Sequence, residues 1–151
     1  MDPQDLIGTK VEPFSATAER SQLAFFARVI GLDDPIYTDV AAARAAGHPD
    51  LPLPPTFLFS LELLRPNPRG VLGELGIDMR SVLHGEQGFD YHAMAFAGDE
   101  LTFTGEYTDY YEKKGGAMRF LLRRTDVTRG DEPIATLTNT LISRRLEALS
   151  R

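Results

Sequence analysis

Pro54-Pro55-Thr56-Phe57-Leu58-Phe59-Ser60-Leu61-Glu62-Leu63-Leu64 is the stretch on which the reading of the fold turns. Pro55 is well placed to start a helix, because the N–H it lacks would be unpaired in the first turn in any case. The residues after it are apolar on nearly every side, the mark of a buried helix. The helix, expected over 55–65, ends before Pro66, since a residue preceding proline is pushed out of the α region. The second half of the chain supplies the material to surround it. Leu101, Phe103 and Tyr107 alternate with Thr102, Thr104, Glu106 and Thr108, a period of two in β-forming residues. Met118, Phe120 and Leu122 alternate with Arg119, Leu121 and Arg123, and Ile134 to Arg144 is rich in Thr, Leu and Ile. With turn signals at Gly115-Gly116 and Arg129-Gly130-Asp131, this predicts an antiparallel meander over about 82–92, 100–111, 117–128 and 133–145. Helices first and antiparallel strands after them make an α+β protein. One very apolar helix is buried only if the sheet curls around it.

Upstream, Leu23, Phe26, Ala27 and Ile30 fall at i, i+3, i+4 and i+7 and predict a helix, with Thr17 as N-cap and Gly31 at C′. Residues 32 to 38 read as a tight loop around Pro35, and Val40 to Ala46 as a short helix ended by Gly47. Prolines at 49, 52, 54 and 55 make 48–55 an irregular connector. Gly70 to Gly76 reads as a loop.

The chain has 151 residues, which predicts one domain spanning 1–151. Its formal net charge of -6 argues against nonspecific nucleic-acid binding, which needs clustered Lys and Arg. The absence of cysteine excludes disulfides, zinc thiolates and a Cys nucleophile, and fits a cytoplasmic location. The N-terminal stretch has neither the basic nor the apolar region of a signal peptide. No apolar run approaches the ~20 residues that span a bilayer, so no membrane association is expected. His48, His84 and His92 are scattered without metal-ligand spacing. No Gly-rich phosphate loop and no GxSxG elbow occur, so neither metal nor cofactor is implied.

Four segments carry a resemblance: GLDDPIYTD at Gly31 to Asp39, Pro54-Pro55-Thr56-Phe57, Leu83-His84-Gly85-Glu86-Gln87 and Ala97-Gly98-Asp99. In this order and spacing they resemble the MaoC-like dehydratases and (R)-specific enoyl-CoA hydratases, which have the hot-dog fold. The sequence HGEQ resembles the FAS1-like, N-terminal-type subunit class that lacks the family's Asp-x-Asn-Pro-x-His motif. The likeness runs from about Ile7 to Arg144. It implies hydration of trans-2-enoyl thioesters, or dehydration of (3R)-hydroxyacyl thioesters, carried on CoA or acyl-carrier protein. It also implies side-by-side pairing with another hot-dog chain, as a homodimer or heterodimer. In active members the Asp and His move the proton or hold the water; alignment on Pro35 puts Leu32 and Tyr37 in their places. A phenol with pKa near ~10 is a poor base at neutral pH.

Asp33 and Asp34 come one and two positions late for the family's Asp and read as caps of the turn at Pro35, with Asp34 kept as a catalytic candidate. Tyr37 is expected to pack and donate a hydrogen bond at the base of the loop. The N–H groups of Thr56 and Phe57, following Pro55, are the candidates for the family's oxyanion site at the helix start. On a regular strand His84, Glu86 and Gly88 would share a face, so His84 and Glu86 form either an acid–base pair or a structural hydrogen bond. Tyr37, Pro55, Thr56, Phe57 and Gly85 are the expected substrate-binding residues. Glu62 must be paired or point into a pocket if buried, and an exposed edge of the helix is the favoured placement. His48 is expected to be solvated and His92 to be an exposed polar residue. Three functions remain open: an acyl-binding subunit whose partner supplies the dyad, a self-sufficient hydratase or thioesterase using His84, Glu86 or Glu62, and a module that binds acyl-CoA without chemistry.

Overall fold

The computed structural model describes residues 3–67 and 70–144. One antiparallel sheet holds β1 (Lys10–Thr17), β2 (Val82–Tyr91), β3 (Glu100–Lys113), β4 (Met118–Arg129) and β5 (Glu132–Arg144), in the order β1-β3-β4-β5-β2. Four helices, α1 (Arg20–Val29), α2 (Val40–Ala45), α3 (Phe57–Glu62) and α4 (Gly70–Glu74), lie between β1 and β2 in the chain. This is the expected α+β hot-dog architecture. Among the described residues no helix is long and apolar enough to cross a membrane.

Several elements differ from the sequence reading. β1 was not anticipated, because Pro13 interrupts its alternation. The structure accommodates the proline on an edge strand, where the register shifts between Val11 and Phe14. Thr17 therefore ends β1, and Glu19 caps α1, its N–H donating to Gln22 Oε1 at 3.0 Å. Gly31 follows α1 with φ of 76°, as its C′ role requires. Only β3, β4 and β5 form a meander; β2 crosses to the far edge and pairs with β5. The segment read as a loop over 70–76 contains α4, whose Leu72 is buried. Residue 145, expected to end the last strand, lies outside the described residues.

α3 is shorter than the expected 55–65. It packs Phe57, Leu58 and Leu61 against Leu101, Phe103, Val127 and Leu137 of the sheet. Leu63 and Leu64 follow it as an exposed turn, so the apolar run is not buried throughout. A second cluster gathers Leu6, Leu72, Ile77, Tyr107, Tyr110 and Leu121. Along the inner face of β4, Val127 belongs to the first cluster and Leu121 to the second, with Thr125 and Arg123 between them. The face of β4 that looked apolar in sequence, Met118, Phe120 and Leu122, is the outer one. There Phe120 stacks on Tyr111, with centroids 4.7 Å apart.

The proline-rich connector is tied down at both ends. Pro52 bridges to Phe96, and Asp50 takes both Nε (2.9 Å) and Nη2 (2.5 Å) of Arg20. The Arg20 fork lowers the Asp50 carboxyl from its usual value to about 2. A carboxyl whose folded pKa lies below its unfolded value, ~3.9, adds stability that is complete above that value and lost as pH falls through the folded one. Urea unfolding of the wild type and Asp50→Asn is therefore expected to differ at pH 7 and to converge as pH drops from about 4 toward about 2. A gap that widened on acidification would contradict the assignment.

Candidate functional site

A cavity of about 360 Å³ lies at the start of α3, with Leu53, Pro54, Leu58 and Ile134 among its walls and Tyr37 and Tyr91 beside them. The chain enters α3 through Thr56, whose φ of 72° is unusual for a β-branched residue. Its N–H donates to Tyr91 Oη at 2.9 Å, and the Phe57 N–H donates to the Pro54 carbonyl at 3.1 Å. Both N–H groups expected to form an oxyanion site are thus engaged within the protein. The physical reason is the left-handed turn at Thr56, which directs these donors to Tyr91 and Pro54. Tyr91, which the sequence did not single out, holds this turn. Backbone strain of this kind costs of order 1–3 kcal/mol and persists where surrounding contacts hold it.

Of the expected substrate-binding residues, Tyr37 and Pro55 line this cavity, while Thr56 and Phe57 adjoin it in the chain. Tyr37 is half-buried, and its hydroxyl makes no hydrogen bond to a described residue, contrary to expectation; the loop is closed by backbone bonds instead. Asp34 is exposed and caps the turn over Pro35–Tyr37, accepting from the Ile36 N–H at 3.1 Å. Leu32 is half-buried beyond α1, its N–H donating to Ala27. Neither Asp34 nor Leu32 lines the cavity.

His84, Glu86 and Gly85 lie elsewhere, on edge strand β2. The register shifts between His84 and Glu86, and the extra residue, Gly85, moves the later residues to the opposite alternation. His84 consequently shares the inner face with Gln87, 3.3 Å away, rather than with Glu86 and Gly88. Asn139 Nδ2 lies 2.6 Å from His84 Nε2 and 3.0 Å from Gln87 Oε1. The imidazole stacks on Phe59 of α3 with centroids 4.7 Å apart. Glu86 is exposed and makes no ion pair among the described residues, so the two do not form an acid–base pair. His48 is half-buried against Phe96 rather than solvated, because the Pro52–Phe96 bridge brings the connector over that ring. His92 is exposed, its Nε2 3.1 Å from Thr136 Oγ1.

Glu62 is not at an exposed edge. Its side chain is 1 % exposed. Oε1 accepts from Thr125 Oγ1 at 2.6 Å, Arg123 Nη2 at 3.0 Å and Arg65 Nη2 at 3.4 Å. Burial holds the Arg65 guanidinium below its usual pKa, with Arg123 adding to the effect. Burial likewise pushes the Tyr107 phenol up. Arg123 escaped the sequence reading because the apolar alternation of β4 marked the wrong face, and Arg65 because the expected helix ran through it, whereas α3 ends three residues earlier. Among the described residues no cluster of acidic or His side chains could hold a metal ion.

Removing the Glu62 carboxylate strands two buried guanidiniums and the Thr125 hydroxyl. Glu62→Ala is expected to cost about 3–5 kcal/mol in chemical denaturation, and Thr125→Ala about 1–3 kcal/mol for the acceptor left behind. An alanine variant at 62 as stable as the wild type would refute the structural role.

The profile of the FAS1-like dehydratase domain region matches residues 5–137. A UPF0336 protein of Saccharopolyspora erythraea is 34% identical over 143 residues, covering 93% of this chain and 90% of the relative. A MaoC-like dehydratase structure superposes with TM-score 0.80 at 22% identity, over 95% of this chain and 44% of the other. The C-terminally truncated HadBC (3R-hydroxyacyl-ACP dehydratase) complex of Mycobacterium tuberculosis gives TM-score 0.76 at 24% identity, over 92% and 98%. The cavity at α3, the sheet that surrounds the helix and these similarities lead to one assignment: the chain belongs to the FAS1-like dehydratase domain family and has the hot-dog fold.

Proposed function

We propose that residues 1–151 form one hot-dog domain that binds the acyl part of a CoA or acyl-carrier-protein thioester. In this reading it serves a (3R)-hydroxyacyl-thioester dehydratase whose Asp and His come from a separate hot-dog partner. The observation that carries the reading is the cavity at α3. It is mostly apolar, as an acyl site requires, and no Asp or Glu lines it. Tyr37 stands at its wall where the resemblance puts the family's His. Hydration needs a group that gives and takes a proton near neutral pH, the part an imidazole plays in the family, and Tyr37 brings no imidazole. His92 also lines the cavity, but among the described residues no carboxylate touches it; its Nε2 is beside Thr136 Oγ1, which donates to Asp126 Oδ1 at 3.1 Å. His84 and Glu86, the candidates for a self-sufficient enzyme, sit on different faces of β2 and away from the cavity.

The two edges of the sheet favour one docking side. Both edge strands carry a register shift, but only β1 is interrupted by a proline, Pro13, which blunts it as a template for pairing. β2 is ten residues long, contains no proline and carries exposed Leu83. A hot-dog partner added along β2 would cover this edge. The HadBC complex, a dehydratase assembly with the same fold, supports a partnered form.

The purified chain is expected to leave the conjugated enoyl absorbance of crotonyl-CoA and of a longer enoyl-CoA unchanged. Mixing with a dyad-bearing hot-dog partner is expected to produce turnover that neither chain shows alone. Robust hydration by the isolated chain, or no gain with any such partner, would reject the reading. Leu83→Asp is expected to weaken association, read by sedimentation, with the circular-dichroism spectrum of the chain unchanged.

A further inference from the structure

A second cavity, about 310 Å³, opens at the other end of α3 and shares no lining residue with the first. Arg65, Arg123 and Tyr107 are among its polar lining, and Phe14, Leu72 and Leu141 are among its apolar walls. Both guanidiniums are largely withdrawn from water, with side chains 10 % and 16 % exposed. They share a single counter-charge, Glu62, and both contact the same oxygen. Two buried cations against one buried carboxylate leave a surplus of one positive charge. A buried charge without a partner is costly unless something neutralises it.

The hydrogen bonds around these groups are also incomplete. A guanidinium carries five N–H donors in a planar fork. Arg65 makes one contact, at 3.4 Å, and otherwise lies over the Phe14 ring at 5.5 Å. Arg123 Nε is buried and has no partner among the described residues, and Glu62 Oε2, a buried acceptor, has none either. Lys10, Glu12 and Glu74 also line the cavity, and all three are exposed. Lys10 is taken up by Glu106, and neither Glu12 nor Glu74 forms an ion pair with Arg65 or Arg123.

We propose that this cavity binds a small monocarboxylic acid with an apolar tail, its carboxylate on Arg65 and Arg123 and its tail against Phe14, Leu72 and Leu141. The fork geometry of arginine matches both carboxylate and phosphate. Charge separates the two. One negative charge balances the surplus, whereas a phosphate monoester carries about -1.5 to -2 at neutral pH. It would also meet Glu62 behind the arginines and Glu12 and Glu74 among the lining residues. The apolar walls give the acid its tail, and the volume is at the lower end of the ~300–1,000 Å³ range of ligand sites. This site is separate from the acyl cavity and stands whether or not that cavity binds a thioester.

Titration calorimetry of the full chain with hexanoate, hexan-1-ol and inorganic phosphate tests the proposal. Saturable binding of hexanoate is expected, with none for hexan-1-ol or phosphate. Arg65→Gln is expected to weaken it by about tenfold or more, the loss typical of a charged hydrogen bond. Val71→Phe, which fills the cavity from α4 without touching the arginines, is expected to abolish binding and leave the melting temperature near wild type. Arg65→Lys keeps the charge without the fork and should bind with intermediate affinity, which serves if either other variant fails to fold. Equal binding of hexan-1-ol would reduce the site to an apolar pocket and overturn the proposal. Hexanoate binding unchanged in the folded variants would place the ligand elsewhere. Phosphate binding in its stead, or no saturable binding at all, would also overturn it.

Discussion

Glu62 is the one charge that α3 carries into the interior, and the sheet beneath is arranged to receive it. Thr125 and Arg123 reach up from β4, and Arg65 folds back from three residues past the helix. A carboxylate in that position is tolerated only with partners, because its desolvation costs several kcal/mol before any pairing. The contact therefore fixes where α3 sits along β4. It also divides the interior. On one side α3 packs its apolar residues against Leu101, Phe103 and Val127. On the other, α4 and the N-terminal turn close a smaller cluster around Tyr107, Tyr110 and Leu121.

The two ends of α3 consequently have different chemistry. At its start, two prolines and a left-handed Thr56 hold the chain beside a mostly apolar cavity, with the Tyr91 hydroxyl fastening the turn. At its end, the arginines gathered for Glu62 exceed it by one charge and face a second cavity. A helix of six residues is too short to separate two sites by distance. They are separated by what packs beneath it: a hydrophobic floor at one end, an ionic one at the other.

Strand β2 shows how one residue alters a functional reading. On a regular strand His84 and Glu86 would stand side by side, available for proton transfer. The extra residue at Gly85 turns Glu86 away and brings Gln87 to His84. The imidazole, exposed near an open sheet edge, lies against Phe59, Asn139 and Gln87. That edge carries a register shift, as β1 does, but not the proline that interrupts β1.

The sequence by itself determined the class of fold. The apolar run after Pro55 demanded a cover, and the alternating strands of the second half could provide it. It also determined the turns: Gly31 past α1 and Asp34 capping the short segment after it act through neighbours two or three residues away. Local chemistry of this kind is legible because its partners are adjacent in the chain. Tertiary structure decided what depends on distant residues. Pro13 could be part of a strand only because β1 lies at an edge. The inward face of β4 was set by its pairing with β3 and β5 and by the need of Glu62 for counter-charges, against the apparent apolar pattern. The N–H groups of Thr56 and Phe57 were expected to be open, yet a tyrosine from β2 and a backbone turn engage them. Each outcome joins groups far apart in sequence, and no periodicity within one segment encodes such a contact.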